Sequence, residues 1–171
     1  MIWIYWILLF LATFLIMECI TWLTHKFVMH GFLWVLHRDH HQQSDGFFEK
    51  NDWFFVIFAI PSIALIYNGT MESIWWQQAI GFGIMAYGAA YFLVHDIIIH
   101  QRFKLFTKST NQYVLGIRWA HKMHHKHLNK EHGESFGMLY VHRKYREKVK
   151  RDKLMIKQRQ MQKVSQPQFN E

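Results

Sequence analysis

Cysteine occurs once in the 171 residues, as Cys19, so no intramolecular disulfide framework and no multi-cysteine zinc or iron–sulfur site can form. Charge is almost missing from the first 23 residues (MIWIYWILLFLATFLIMECITWL), where Glu18 is the one charged side chain. That run is long enough to cross the roughly 30 Å hydrocarbon layer as a helix. It lacks a basic n-region and a small-x-small site before His25, which argues against a cleaved signal peptide. A glycine-rich dinucleotide fingerprint and a flavin motif are missing too, so the chain carries no recognisable electron source of its own.

What is abundant is apolar, basic or imidazole. The chain is 51% hydrophobic and 18% aromatic, with thirteen histidines and a formal charge of +8 when histidine is neutral. Its mean hydropathy is nevertheless −0.09, so greasy and basic residues must be segregated along one domain's length of chain. A second apolar block runs from Trp53 to Tyr67, with Pro61 expected to kink it and Asn68-Gly69 expected to close it as a turn. A third, Ile74 to Ile99, carries Gly81, Gly83, Gly88, Ala89 and Ala90, small residues that let helices approach closely in lipid. Tyr113 to Ala120 is too short to cross and reads as part of a helix near the interface. The expected fold is all-α: an integral membrane bundle of about three spans, a fourth being left open, with helices at one edge carrying a histidine-rich dinuclear site.

The basic residues give an orientation. Lys26, Arg38 and Lys50 lie between spans one and two, none lies between spans two and three, and the remaining seventeen follow His100. Positive-inside logic places the first loop and the C-terminus in the cytoplasm, in an inner-membrane protein. Trp3, Trp6, Trp22, Trp53, Trp75 and Trp76 fall near span ends, as interfacial aromatics should. Residues 1–142 are expected to form the membrane-embedded domain, and residues 143–171 a basic cytoplasmic tail, either amphipathic on anionic lipid or disordered. Nucleic-acid binding, the usual inference from a pI near 9.6, is disfavoured because topology already accounts for the basic residues.

Ten histidines form two copies of one pattern. His25-x4-His30 is followed by His37-x2-His40-His41, and His95-x4-His100 by His121-x2-His124-His125. Positions i, i+3 and i+4 share a helix face, so each HxxHH trio can converge. Positions i and i+5 are about 140° apart on an ideal helix, so His25 and His30 cannot face one metal unless the helix ends or bulges between them; otherwise they serve different metals. Two crossings separate the copies, which returns both to the same edge of the bilayer. Ten neutral imidazoles suit two metals at five apiece, whereas a bare cluster would leave many polar nitrogens near lipid unsatisfied. Ligand type alone leaves Zn, Cu, Fe and Ni open. Glu18, seven residues before His25, could accept an imidazole N–H, as could Asp39 and Asp96 beside ligand candidates. His127, His132 and His142 fall outside the repeat, although His127 and His132 repeat the x4 spacing and leave a ligand role open. Even two bis-histidine haems in an electron carrier would leave six of the ten histidines unused, and a metal transporter would not cluster them at one edge.

These residues resemble the bacterial β-carotene 3-hydroxylases, within the fatty acid hydroxylase and desaturase superfamily of membrane di-iron enzymes. The resemblance covers Met17-Glu18, His25-Lys26, Val28-Met29-His30-Gly31, Trp34, His37, His40-His41, Phe48-Glu49 and Asn51-Asp52. It continues through Ala86-Tyr87-Gly88, Tyr91-Phe92, Val94-His95-Asp96, His100-Gln101-Arg102, Ala120-His121, Met123-His124-His125 and Ser135-Phe136-Gly137. It implies two iron ions held by the ten histidines, with O2 as co-substrate. The implied reaction hydroxylates C3 and C3′ of the β-ionone rings of a carotenoid drawn from the bilayer, β-carotene passing through β-cryptoxanthin to zeaxanthin. Reduced ferredoxin or an equivalent donor is implied as the electron source. A fatty acyl or sterol hydroxylase or desaturase of the same superfamily is the alternative. His127, His132 and the residues beyond Tyr140 depart from the family pattern.

Overall fold

In the computed structural model, residues 1–42, 46–128 and 131–165 are described, and among them every regular element is helical. The order is α1 (Ile2–Leu23), a π-helical segment (Thr24–Phe32), α2 (Trp34–His41), a 3-10 turn (Lys50–Asp52), α3 (Trp53–Met71), α4 (Trp75–Tyr91), a second π-helical segment (Phe92–Ile99), α5 (Gln112–Lys126) and α6 (Arg143–Ser165). Three rods are long and apolar enough to cross a membrane: Ile2–Phe32, Lys50–Met71 and Trp75–Ile99. Their outward side chains, such as Leu8, Leu15, Ile60 and Ile63, are mostly exposed, the pattern of surface that meets hydrocarbon.

α4 is the central rod, and its glycines explain why. A Cβ on Gly81 would stand 2.7 Å from Ile66 of α3, and one on Gly83 would stand 2.7 Å from Thr13 of α1. The backbones therefore meet closely on both sides, with Ser62 Oγ donating to the Gly81 carbonyl at 2.8 Å. α3 passes through Pro61 without ending. Nor does Asn68-Gly69 close α3, contrary to the sequence expectation, since the helix runs on to Met71. Gly69 is used for contact instead, its missing Cβ making room for the Gln78 backbone at 2.7 Å, while Ser73 at φ 55° turns the chain.

α5 begins at Asn111, whose side chain accepts the N–H groups of Tyr113 and Val114. It packs beneath the end of the second π segment through Val94, Ile117 and Ala120, joined by Met138, Val141 and Tyr145. This core crosses the expected domain boundary at residue 142: Tyr145 and Val149 on α6 are buried. Ile156, 56% exposed, lies beyond the packed part of that helix. Residues 166–171 of the expected tail lie outside the described residues.

Candidate metal centre

The first HxxxxH pair lies on the first π segment and the second runs from within the second π segment to its capping residue His100, and that local geometry decides the site. In a π turn the N–H of residue i+5 bonds the carbonyl of residue i, so i and i+5 stack on one face. The His100 N–H donates to the His95 carbonyl at 2.9 Å, and Leu33 N–H donates to Val28 in the same register at 3.0 Å. His25 and His30 therefore face one cluster, their ring centroids 5.2 Å apart, and His95 and His100 face another at 4.5 Å. Neither pair is divided between clusters; the bulge supplies what an ideal helix could not.

Two groups of ligand nitrogens result, one of His25, His30, His37, His41 and His124, the other of His40, His95, His100 and His121, all mutually within 4.8 Å inside each group. His125 joins the second through His121, Nε2 to Nε2 at 2.8 Å, as His41 joins His37 at 3.0 Å in the first. Each HxxHH trio is thus split, its middle member crossing to the other copy's group. His40 meets His95 at 3.1 Å, and His124 meets His30 at 3.2 Å. The rings of His127, His132 and His142 belong to neither group.

Six of the imidazoles have their Nδ1 atoms against oxygen. His25 faces the Phe136 carbonyl at 3.0 Å, His30 the Leu128 carbonyl at 2.8 Å and His124 the Glu134 carbonyl at 3.0 Å. His37 faces Asn51 Oδ1 at 2.7 Å, His40 faces Glu49 at 2.8 Å, and His95 faces Asp96 at 3.3 Å. A carbonyl or carboxylate can only accept, so each Nδ1 donates its proton and leaves Nε2 with a bare lone pair. The pairs His25–His37, His30–His124 and His40–His95 then point lone pair at lone pair across 3.0 to 3.2 Å. Protonating His37 or His40 does not relieve this. Burial, reinforced by neighbouring imidazoles, holds His40 and His121 well below the usual imidazole range, and burial lowers His37 to about 3 despite its Asn51 bond. A shared cation does relieve it. Two nitrogens about 2.1 Å from one ion and at right angles to each other lie about 3.0 Å apart, against about 3.4 Å for a tetrahedral pair. The donor set of each group therefore fits a shared metal ion.

The carboxylates behave differently from the sequence expectation. Glu18 does not reach an imidazole; Oε1 accepts the N–H groups of Met138, Leu139 and Tyr140 at 2.9, 2.9 and 3.2 Å, and Oε2 accepts from Tyr87 at 2.6 Å. It tethers the segment whose Phe136 carbonyl orients His25. Asp39 does not reach one either, its Oδ2 accepting Lys50 N–H at 2.7 Å. Asp96 does face its neighbour His95 and also pairs with Arg102 at 3.2 Å. Arg102 further binds Glu49 at 3.2 Å and Asp52 at 3.0 Å, bracing the carboxylates behind His40 and His95. Glu49, Asn51 and Arg102 were not among the expected site residues. The signal for Glu49 and Asn51 is a polar Glu49-x-Asn51-Asp52 run immediately before an apolar span, and for Arg102 a cation two residues after His100 at the end of another.

Beside the second group lies a cavity of about 580 Å³ between α1, α3 and α4. Met17, Phe54, Ile84, Tyr91 and Phe92 line it, and His95 borders it together with the polar Glu49, Asn51 and Asp96.

A profile of the fatty acid hydroxylase family matches residues 10–142. The chain belongs to the fatty acid hydroxylase family. Among the family's curated members, a beta-carotene hydroxylase of Pantoea ananas is 44% identical over 82% of this chain and 80% of its own length. The beta-carotene hydroxylase of Pseudescherichia vulneris is 40% identical over 78% of this chain and 76% of its own. A chloroplastic beta-carotene 3-hydroxylase of an Oncidium hybrid cultivar is 35% identical over 72% of this chain and 41% of its own. No solved structure matches the chain significantly. The family match takes in all ten repeat histidines and ends at His142, so the whole of α6 lies beyond it.

Proposed function

We propose that this chain is a membrane carotenoid hydroxylase that adds hydroxyl groups at C3 and C3′ of β-ionone rings, converting β-carotene through β-cryptoxanthin to zeaxanthin. The observation that carries the reading is an aromatic-lined cavity bordered by His95, beside two imidazole groups, in a chain whose relatives bear the beta-carotene hydroxylase name. Exposed Phe47, Phe48, Trp53 and Phe55 rim that cavity, which suits entry of a substrate dissolved in lipid.

Two irons are the proposed cofactors, one held by His25, His30, His37, His41 and His124, the other by His40, His95, His100, His121 and His125. Iron is proposed over zinc because the reaction is an oxidation and zinc has no redox chemistry. With dioxygen and electrons from a ferredoxin-type donor, the irons would supply the oxidising power for C–H hydroxylation. The chain's own residues do the rest. Asn51, Glu49, Asp96 and the carbonyls of Phe136, Leu128 and Glu134 fix each imidazole's tautomer and aim. The aromatic walls exclude water and hold one ring edge toward His95, so regiochemistry is a matter of placement. Both groups and the C-terminal helix lie on the cytoplasmic side, because the basic residues concentrate there.

The test is expression in β-carotene-producing cells, with pigments resolved by chromatography and iron and zinc quantified in the purified chain. Zeaxanthin and two irons per chain are expected from the wild type, and no hydroxylated pigment from His124→Ala despite normal accumulation in membranes. Hydroxylated acyl chains with untouched β-carotene would overturn the substrate assignment, and wild-type zeaxanthin output from His124→Ala would overturn the ligand assignment.

A further inference from the structure

Five glycines lie inside the α-helices of the described residues: Gly69, Gly81, Gly83, Gly88 and Gly116. Glycine weakens a helix interior relative to alanine, so each position needs an offsetting reason. Four have one in close approach. An added Cβ would stand 2.7 Å from Gln78 at Gly69, 2.7 Å from Ile66 at Gly81, 2.7 Å from Thr13 at Gly83 and 3.2 Å from Arg146 at Gly116. Gly88 has none, because nothing lies within 4 Å of where its Cβ would be. Packing does not require glycine there. What Gly88 borders is the cavity, on a face that continues from Ile84 through Gly88 and Tyr91 to His95.

We propose that Gly88 sets the width of the substrate cavity and thereby admits the methyl-bearing β-ionone end of a carotenoid. This rests on the carotenoid reading. Gly88 is seven residues before His95, about 10 Å along the helix axis, and so stands back from the reacting end. A β-ionone ring presents C3 at one edge and carries three methyl groups on the carbons flanking its opposite edge, where the polyene begins. With C3 toward His95, those methyls form the broadest part of the substrate and lie on the Gly88 side. Any side chain at residue 88 narrows the passage at that level.

The test uses iron-loaded membranes carrying the full-length wild type, Gly88→Ala or Gly88→Leu, supplied with reductant and either β-carotene or a synthetic analogue lacking the two C1 methyls of each ring. Gly88→Leu is expected to lose about tenfold or more in kcat/KM on β-carotene, with Gly88→Ala between it and the wild type. On the C1-demethylated analogue the loss should shrink to less than about threefold, at unchanged iron per chain. An equal loss on both substrates, unchanged rates on both, or loss of iron from the variants would overturn the assignment. Should Gly88→Leu fail to accumulate, Gly88→Ala decides alone, since its methyl meets no neighbour; it must keep its iron and show the same selective loss. A wild type that hydroxylates neither substrate would overturn the carotenoid reading, and this assignment with it.

Discussion

Replacing Asn51 with alanine tests whether the oxygens behind the imidazoles control the metal centre. His37 is 1% exposed and Asn51 7%, and the His37 Nδ1–H donates to Asn51 Oδ1 at 2.7 Å. Removing the acceptor leaves a buried donor unmatched, at a cost of about 1–3 kcal/mol. The ring can escape by shifting its proton to Nε2, but that blocks the lone pair aimed at His25 and His41. Either way the penalty falls on the metal-ready form, and about 1.4 kcal/mol per decade makes it roughly 5- to 150-fold in affinity, in line with the 10- to 100-fold known for oxygens behind metal-bound histidines. Asn51→Asp restores an acceptor, now charged, and should hold iron at least as tightly as the wild type. The assay is a chelator competition on purified chain, with iron per chain read at each chelator concentration. Identical curves for Asn51→Ala and wild type would refute the reasoning, as would an equal fall for Asn51→Ala and Asn51→Asp.

Arg102→Gln removes the guanidinium that separates Glu49, Asp52 and Asp96, and burial already raises the Glu49 carboxyl. Loss of the brace should drive Glu49 further toward its protonated form, weaken its bond to His40 and lower stability by about 2–4 kcal/mol. Iron falling from two toward one per chain, with a reduced Tm in detergent, is the expected readout; unchanged values for both would count against the brace. Glu18→Ala should cost at least about 2 kcal/mol, since three backbone N–H groups at 138–140 lose their acceptor. Glu18→Gln should recover part of that, and a melting curve for Glu18→Ala that matches the wild type would contradict the tether.

Much of this centre was legible in the sequence because it repeats. The paired HxxxxH and HxxHH segments marked all ten imidazoles, and the three apolar blocks marked the rods that bring the copies to one edge. What was not legible is mainly backbone. The π segments cannot be read from side-chain periodicity, although the i, i+5 spacing required a break from ideal geometry at that place. Three of the six orienting oxygens are main-chain carbonyls, of Phe136, Leu128 and Glu134, which no residue type signals. Glu18 shows the opposite failure. Its position two turns before His25 suggested an imidazole partner, but the backbone of residues 138–140 takes its carboxylate, and a contact 120 residues away leaves no local pattern.

The split of each HxxHH trio follows from where the helices cross. His37 and His41 are one turn apart on α2 and reach the same group as the π segment just before them, whereas His40 is rotated about 100° from His41 and is turned toward the other group. The same rotation separates His124 from His125 on α5. Because each copy sends its middle histidine across, neither group can be assembled by one half of the chain alone. Group formation is therefore coupled to the packing of α4 against α1 through Gly83 and of α5 beneath the second π segment. The symmetry is broken behind the rings. Carboxylates back His40 and His95 in the group beside the cavity, while carbonyls and one amide back His25, His30, His37 and His124 in the other. A carboxylate acceptor makes an imidazole the stronger donor, so the two groups offer different ligand strength from the same ten side chains.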